Sequence, residues 1–123
     1  MYTVSRRTVL VVEDEMLIRI LAADSLQESG FDVIEAADAG EALRILDERD
    51  DVDVLFTDVN MPGPMDGVAL AYLMHDRRPD LGLIITSGNV APDPAALPTS
   101  SLYLAKPYLP QQLAAAVERQ TVH

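Results

Sequence analysis

Cysteine is absent from this sequence, and so is any long uninterrupted apolar stretch at its amino terminus. Without cysteine there is neither a disulfide framework nor a thiolate metal site. The side chains left to hold a metal are mostly carboxylates, which favour hard cations such as Mg²⁺. The first apolar run soon meets Glu13, so it is too short for a signal peptide or membrane span. These absences predict a cytoplasmic protein with no membrane association.

Basic residues are also scarce: nine Lys and Arg stand against twenty Asp and Glu, for a formal net charge of −11. Such a chain repels a phosphate backbone and has no basic stripe to bind one. We therefore expect no direct binding to nucleic acid. Most of these carboxylates need no role beyond keeping the surface solvated, and only the clustered ones call for a further explanation.

What the sequence does contain is an alternation of apolar runs with helical patterns. With 123 residues, 49% of them hydrophobic, it predicts one domain over 1–123 with a core at about 7–121. The runs are short and rich in β-branched residues, as in strands buried on both faces. Strands are predicted at 8–12, 31–35, 52–57, 83–86 and 101–105, and helices at 16–29, from Asp38, from Asp66, and at 110–120.

The segment 88–100 interrupts this rhythm. Pro92, Pro94 and Pro98 leave room for at most one helical turn, so the fourth helix is predicted to be short or absent. Five strand patterns separated by helices require a parallel sheet with right-handed crossovers. We predict a doubly wound, three-layer α/β sandwich with strand order 2-1-3-4-5, the flavodoxin-like topology. Ligands bind such sheets beyond the carboxyl ends of the strands.

The unusual polar residues follow these strands: Glu13 and Asp14 after the first, Asp58 after the third, Thr86 in the fourth and Lys106 after the fifth. Three carboxylates brought together repel one another unless a cation neutralises them. Mg²⁺ is predicted there, with Asp58 as a nucleophile for phosphoryl transfer. Lys106 and Thr86 would balance the charge on the transferred group.

The sequence resembles the receiver domains of bacterial two-component response regulators, typified by the chemotaxis regulator CheY, over nearly its whole length. Together, in this order and spacing, its motifs are highly specific, although each alone is weak. They are Val11-Val12-Glu13-Asp14-Glu15, Thr57-Asp58-Val59-Asn60-Met61-Pro62, Met65-Asp66-Gly67, Ile84-Ile85-Thr86-Ser87-Gly88 and Lys106-Pro107-Tyr108.

The resemblance implies specific roles for residues at the site. Asp58 would be the phosphorylation site, Asp14 a direct Mg²⁺ ligand, Glu13 a ligand acting through water, and Asn60 a ligand through its backbone carbonyl. Thr86 would be the switch hydroxyl, Tyr103 the aromatic residue that moves with it, and Lys106 the lysine of the family, followed by a cis peptide bond to Pro107.

The resemblance also implies how the domain is used. The phosphoryl donor would be a histidine kinase or a histidine phosphotransfer protein, and an unknown downstream protein would read the result. Phosphorylation and dephosphorylation of Asp58 would be self-catalysed, so the chain would not be an enzyme acting on free substrates. As a single-domain regulator it would act by binding a partner, and whether it forms a homodimer is left open.

Two other function classes fit the same residues. A degenerate interaction scaffold would share the fold without phosphorylation or metal, although all the phosphotransfer residues are present. A haloacid-dehalogenase-type phosphohydrolase also combines an Asp nucleophile with Mg²⁺, a Thr or Ser, and a Lys. That class expects a second Asp as general acid two residues after the nucleophile, where this chain has Asn60.

Overall fold

A computed structural model describes residues 6–88 and 91–121 of the chain. The outermost positions of the predicted unit 1–123, and two positions in the segment 88–100, lie outside the described residues. The strands are β1 (Thr8–Val12), β2 (Asp32–Ala36), β3 (Val54–Asp58), β4 (Gly82–Ser87) and β5 (Leu102–Ala105). The helices are α1 (Met16–Glu28), α2 (Ala39–Glu48), α3 (Gly67–Arg77) and α4 (Pro110–Thr121).

The five strands form one parallel sheet in the order β2-β1-β3-β4-β5, which confirms the predicted topology. β1, β3 and β4 are buried along their whole length, as expected for apolar runs covered on both faces. β3 begins at Val54, two residues later than predicted. Just before it, the Asp53 carboxylate accepts a hydrogen bond from the Thr8 backbone N–H at 2.8 Å, at the entrance to both strands.

Each face of the sheet carries its own hydrophobic core, because successive residues of a strand point to opposite sides. On one face Leu10 and Leu55 pack in a cluster that includes Leu70 of α3. On the other face Val9 and Val54 pack in a cluster with apolar residues of α1 and α4, among them Leu26 and Leu113. Helices on both faces of a sheet make the predicted three-layer sandwich.

Two aspartates fix where helices begin near the carboxyl edge of the sheet. The Asp38 carboxylate accepts a hydrogen bond from the Glu41 N–H at 2.8 Å, and that of Asp66 accepts one from Ala69 at 2.9 Å. Both are the N-caps predicted from the sequence, and they satisfy amide groups that have no partner inside the helix. The cap at Asp66 sets the start of α3 beside the end of β3.

The connection between β4 and β5 contains no α-helix in its described part. It has only a 3₁₀ turn at Pro94–Ala96, whose first free amide, that of Ala95, is bound by the Asp93 carboxylate at 2.9 Å. The prediction of a short or absent fourth helix is confirmed, and the prolines supply the reason. None of the helices in the described part of the chain is long and apolar enough to cross a membrane.

Candidate functional site

The carboxyl ends of β1 and β3 bring three acidic side chains together. Glu13 and Asp14 follow β1, Asp58 ends β3, and carboxylate oxygens from all three lie within 4.8 Å of one another. Glu13 and Asp58 are buried, at 4% and 6% exposure, whereas Asp14 is exposed. Carboxylates rarely sit this close and this deep without a compensating positive charge.

Lys106, directly after β5, supplies such a charge. Its Nζ donates hydrogen bonds to Glu13 Oε1 at 2.7 Å and to Asp58 Oδ2 at 2.8 Å, and only 18% of its side chain is exposed. Burial alone would lower the pKa of Lys106, but the bonds to Asp58 and Glu13 outweigh it and raise that pKa. The ammonium therefore stays charged. The peptide bond between Lys106 and Pro107 is cis.

Asp58 has both carboxylate oxygens engaged. Oδ2 accepts from Lys106, and Oδ1 accepts from the Asn60 backbone N–H at 3.2 Å. Its own carbonyl oxygen lies so close to α3 that a Cβ placed on Gly67 would sit 1.8 Å from it. Glycine at the first position of α3 thus lets that helix and its preceding loop close against Asp58.

Glu13 is also held by two hydrogen bonds, and its pKa is raised. Oε1 accepts from Lys106, and Oε2 accepts from the Glu15 backbone N–H at 3.1 Å. Burial is the main reason that the pKa of Glu13 is raised, and the nearby negative charge of Asp58 adds to it. A further cation at this edge would favour the ionised form of Glu13.

β4 and β5 place two more of the predicted residues beside the acidic group. Thr86 pairs in register with Asp58 on the neighbouring strand, and its buried hydroxyl has no hydrogen-bond partner among the described residues. The Tyr103 hydroxyl, on β5, donates to the Ser87 carbonyl at 3.3 Å. The structure therefore brings these two side chains to the same edge as the carboxylates.

Comparison with known proteins identifies the family in which this group of residues occurs. A family model described as the response regulator receiver domain matches residues 9–118, which is most of the chain. The chain belongs to the response-regulator receiver domain family.

Known relatives agree with that assignment. The chain is 40% identical over 116 residues to the sensor kinase CckA of Brucella abortus, covering 90% of this chain and 12% of that one. It is 31% identical over 108 residues to the aerobic respiration control protein ArcA of Escherichia coli, covering 85% of this chain and 44% of that one. The chain thus spans less than half the length of these two relatives.

Solved structures of receiver domains superpose closely on this one. A response regulator receiver protein from Sinorhizobium medicae has a TM-score of 0.89 at 25% identity, with 95% of each chain covered. The receiver domain of the hybrid histidine kinase CckA has a TM-score of 0.80 at 34% identity, covering 94% of this chain and 99% of that one. Receiver domains are phosphoacceptor modules of two-component systems that bind Mg²⁺ at an acidic pocket.

The donor set of this receiver domain fits that metal. The convergent groups are carboxylate oxygens from Glu13, Asp14 and Asp58, and Mg²⁺ prefers oxygen ligands, commonly one or two carboxylates completed by water and phosphate. One of the three, Asp14, is open to solvent and so leaves an entry path for a hydrated ion. The individual roles of these residues, and of Asn60 as a carbonyl ligand, stay predictions.

Replacing Lys106 with methionine is expected to destabilise the metal-free receiver domain. The substitution leaves the buried Glu13 and Asp58 carboxylates facing each other without their shared cation. We expect the free energy of unfolding to fall by about 2 kcal/mol at neutral pH, below the full effect of breaking a buried pair because Glu13 can take up a proton. Urea unfolding without divalent ions measures this loss.

The matched control is Arg44→Met, since Arg44 pairs with Glu41 only at the surface and should change stability by less than about 0.5 kcal/mol. Adding Mg²⁺ should restore part of the stability lost by Lys106→Met, because the ion replaces the missing charge. Equal stability of Lys106→Met and wild type without Mg²⁺ would show that Lys106 does not hold the carboxylates together.

One residue that contacts the site gave no functional signal in the sequence. Arg19 lies on α1 and donates from Nη1 to the Glu13 backbone carbonyl at 2.8 Å. An arginine in a surface helix is ordinarily a solvated side chain, and its target here is a main-chain atom, which no residue pattern reports.

Proposed function

We propose that this receiver domain accepts a phosphoryl group on Asp58 from a histidine kinase or histidine phosphotransfer protein, in a Mg²⁺-dependent and self-catalysed reaction. The observation that carries the proposal is the environment of Asp58. It is a buried carboxylate that lies within 4.8 Å of two others and is bound by one ammonium. Phosphoryl transfer depends on positioning and on cations that neutralise the developing charge, and this arrangement can supply both.

The proposed step exchanges one bond for another. A carboxylate oxygen of Asp58 attacks phosphorus, the P–N bond to the donor histidine breaks, and its electron pair returns to the imidazole. Bound Mg²⁺ would supply charge neutralisation for the transferred oxygens, held by Asp58, Asp14, the Asn60 carbonyl and, through water, Glu13. Lys106 holds the Asp58 carboxylate in place before the attack and is near enough to pair with a phosphoryl oxygen afterwards.

The switch in this proposal involves Thr86 and Tyr103. Phosphorylated Asp58 would offer an acceptor to the Thr86 hydroxyl, and the buried, unpartnered state of that hydroxyl among the described residues supports this. Tyr103 is tied to the carbonyl of Ser87, the residue after Thr86. Movement at Thr86 would therefore reach the surface through Tyr103 and change the binding of a downstream protein.

The donor protein is proposed to dock on α1. Its exposed apolar side chains Met16, Leu17 and Leu21 are 64%, 68% and 60% accessible, an apolar surface of the kind that marks interaction sites. A groove of about 770 Å³ runs between α1 and the segment after β5, and Lys106 lines it. A histidine-bearing partner covering this face would have its imidazole near Asp58.

Acetyl phosphate provides the direct test. Incubated with it and Mg²⁺, the protein should gain the mass of one phosphoryl group by intact mass spectrometry, and peptide mapping should place that group at Asp58. Removing Mg²⁺ with a chelator should prevent the gain. A protein that neither binds Mg²⁺ nor gains mass would support the degenerate interaction scaffold instead. That residues 1–123 act as one such unit, in the cytoplasm, is part of the proposal.

A further inference from the structure

Arg19 connects helix α1 to the backbone of the acidic loop. Its side chain is only 16% exposed. Nη1 donates to the Glu13 carbonyl at 2.8 Å, and Nε donates to Glu35 Oε1 on β2 at 3.2 Å. The guanidinium is planar and its donors point in fixed directions, so two acceptors hold it in one orientation.

The carbonyl that Arg19 binds belongs to the peptide group between Glu13 and Asp14. That group is planar, so fixing its oxygen also fixes the N–H and Cα of Asp14. The other side of Glu13 is fixed as well, because its N–H donates to the Ala36 carbonyl on β2 at 3.1 Å. The main chain leading into Asp14 is therefore held by one bond from β2 and one from α1.

Asp14 depends on this support more than its neighbours do. The side chains of Glu13 and Asp58 are held directly by Lys106, whereas the exposed carboxylate of Asp14 makes no hydrogen bond to another described residue. Its position within 4.8 Å of the other two carboxylates must come from its backbone. Residues that orient metal ligands from behind ordinarily affect metal affinity strongly.

We propose that Arg19 is a positioning residue for Mg²⁺: it holds the Glu13–Asp14 peptide so that the Asp14 carboxylate faces those of Glu13 and Asp58. The inference rests on the proposed Mg²⁺ site. Glu35 serves as the anchor of the guanidinium. Its side chain is 42% exposed, so the ion pair adds little stability but sets the direction of Nη1.

Electrostatics and positioning predict opposite effects for the loss of Arg19. Removing a positive charge near a cation site should by Coulomb's law alone tighten Mg²⁺ binding. Releasing the Glu13–Asp14 peptide should instead weaken it, because Asp14 would have to be ordered when the ion binds. The sign of the change in Mg²⁺ affinity therefore separates the two.

The experiment compares Arg19→Gln with Arg44→Gln, which removes the same charge from an exposed site on α2. Mg²⁺ is titrated into each protein, without phosphodonor, by isothermal calorimetry and by amide NMR shifts. Arg19→Gln should raise the Mg²⁺ dissociation constant about tenfold, and Arg44→Gln should leave it within about twofold of wild type. The Asp14 amide should shift already in the metal-free Arg19→Gln protein.

Equal or tighter Mg²⁺ binding by Arg19→Gln would overturn the proposal, even if its melting temperature falls. Should Arg19→Gln fail to fold, Arg19→Met keeps the apolar stem and is judged by the same criterion. A wild-type protein that binds no Mg²⁺ at millimolar concentrations would contradict the proposed function itself. If wild type and Arg19→Gln bind Mg²⁺ with the same affinity, only the positioning role of Arg19 is contradicted.

Discussion

Replacing Asp58 with asparagine is expected to abolish phosphorylation by acetyl phosphate. A neutral amide cannot attack phosphorus and form the acyl phosphate that a carboxylate forms. The fold should survive, because asparagine has nearly the same shape and its amide oxygen can still accept the hydrogen bond that Asn60 N–H or Lys106 donates. Intact mass spectrometry after incubation with Mg²⁺ and acetyl phosphate should show the unmodified mass alone.

Asp66→Asn is the matched control for this variant. Asp66 lies on the same loop and also carries a carboxylate, but its side chain caps α3, and asparagine caps helices about as well as aspartate. Asp66→Asn should therefore gain the mass of one phosphoryl group as wild type does. A gain by Asp58→Asn equal to that of wild type would move the phosphoryl group to another residue and end the proposal for Asp58.

The fold could be predicted from the sequence because each element carried its own signal. The short β-branched run from Thr8 to Val12 favours a buried strand, and Asp38 and Asp66 cap helices by accepting hydrogen bonds from residues only three positions later. Pro92, Pro94 and Pro98 exclude a regular helix by local chemistry. Given parallel strands, the meeting of Glu13, Asp58 and Lys106 follows from topology, since each residue ends or follows a strand.

What the sequence could not predict are the contacts between elements that do not depend on residue type. Arg19 donates to a main-chain carbonyl, that of Glu13, so neither the charge pattern nor the residue spacing predicts this contact. The close approach of α3 to Asp58 also depends on how two elements dock, which the motif containing Gly67 does not itself reveal. The sequence predicts that Lys106 balances the charge of a transferred phosphoryl group, but the direct bonds of its ammonium to Glu13 and Asp58 are a result of the packing.

Replacing Gly67 with alanine is expected to cause the largest loss of stability among these substitutions. The new Cβ would lie 1.8 Å from the carbonyl oxygen of Asp58, 2.7 Å from its carbonyl carbon and 3.0 Å from Thr57 Oγ1. Two of these are backbone atoms of a buried central strand, so they cannot turn aside. We expect the free energy of unfolding to fall by about 3 kcal/mol, the upper end of the usual cost of overpacking.

Gly40→Ala provides the comparison, because Gly40 also lies in the first turn of its helix, α2. A Cβ there meets only Asp38 Oδ1, at 3.5 Å, which is ordinary contact, and alanine favours helix by about 1 kcal/mol over glycine. Urea unfolding should therefore show that Gly40→Ala is equal to or more stable than wild type and that Gly67→Ala is much less stable.

Since α3 can escape the clash only by moving away from Asp58, Gly67→Ala protein that remains folded should also be phosphorylated more slowly. Equal stability of the two alanine variants would mean that α3 does not close on the carbonyl of Asp58.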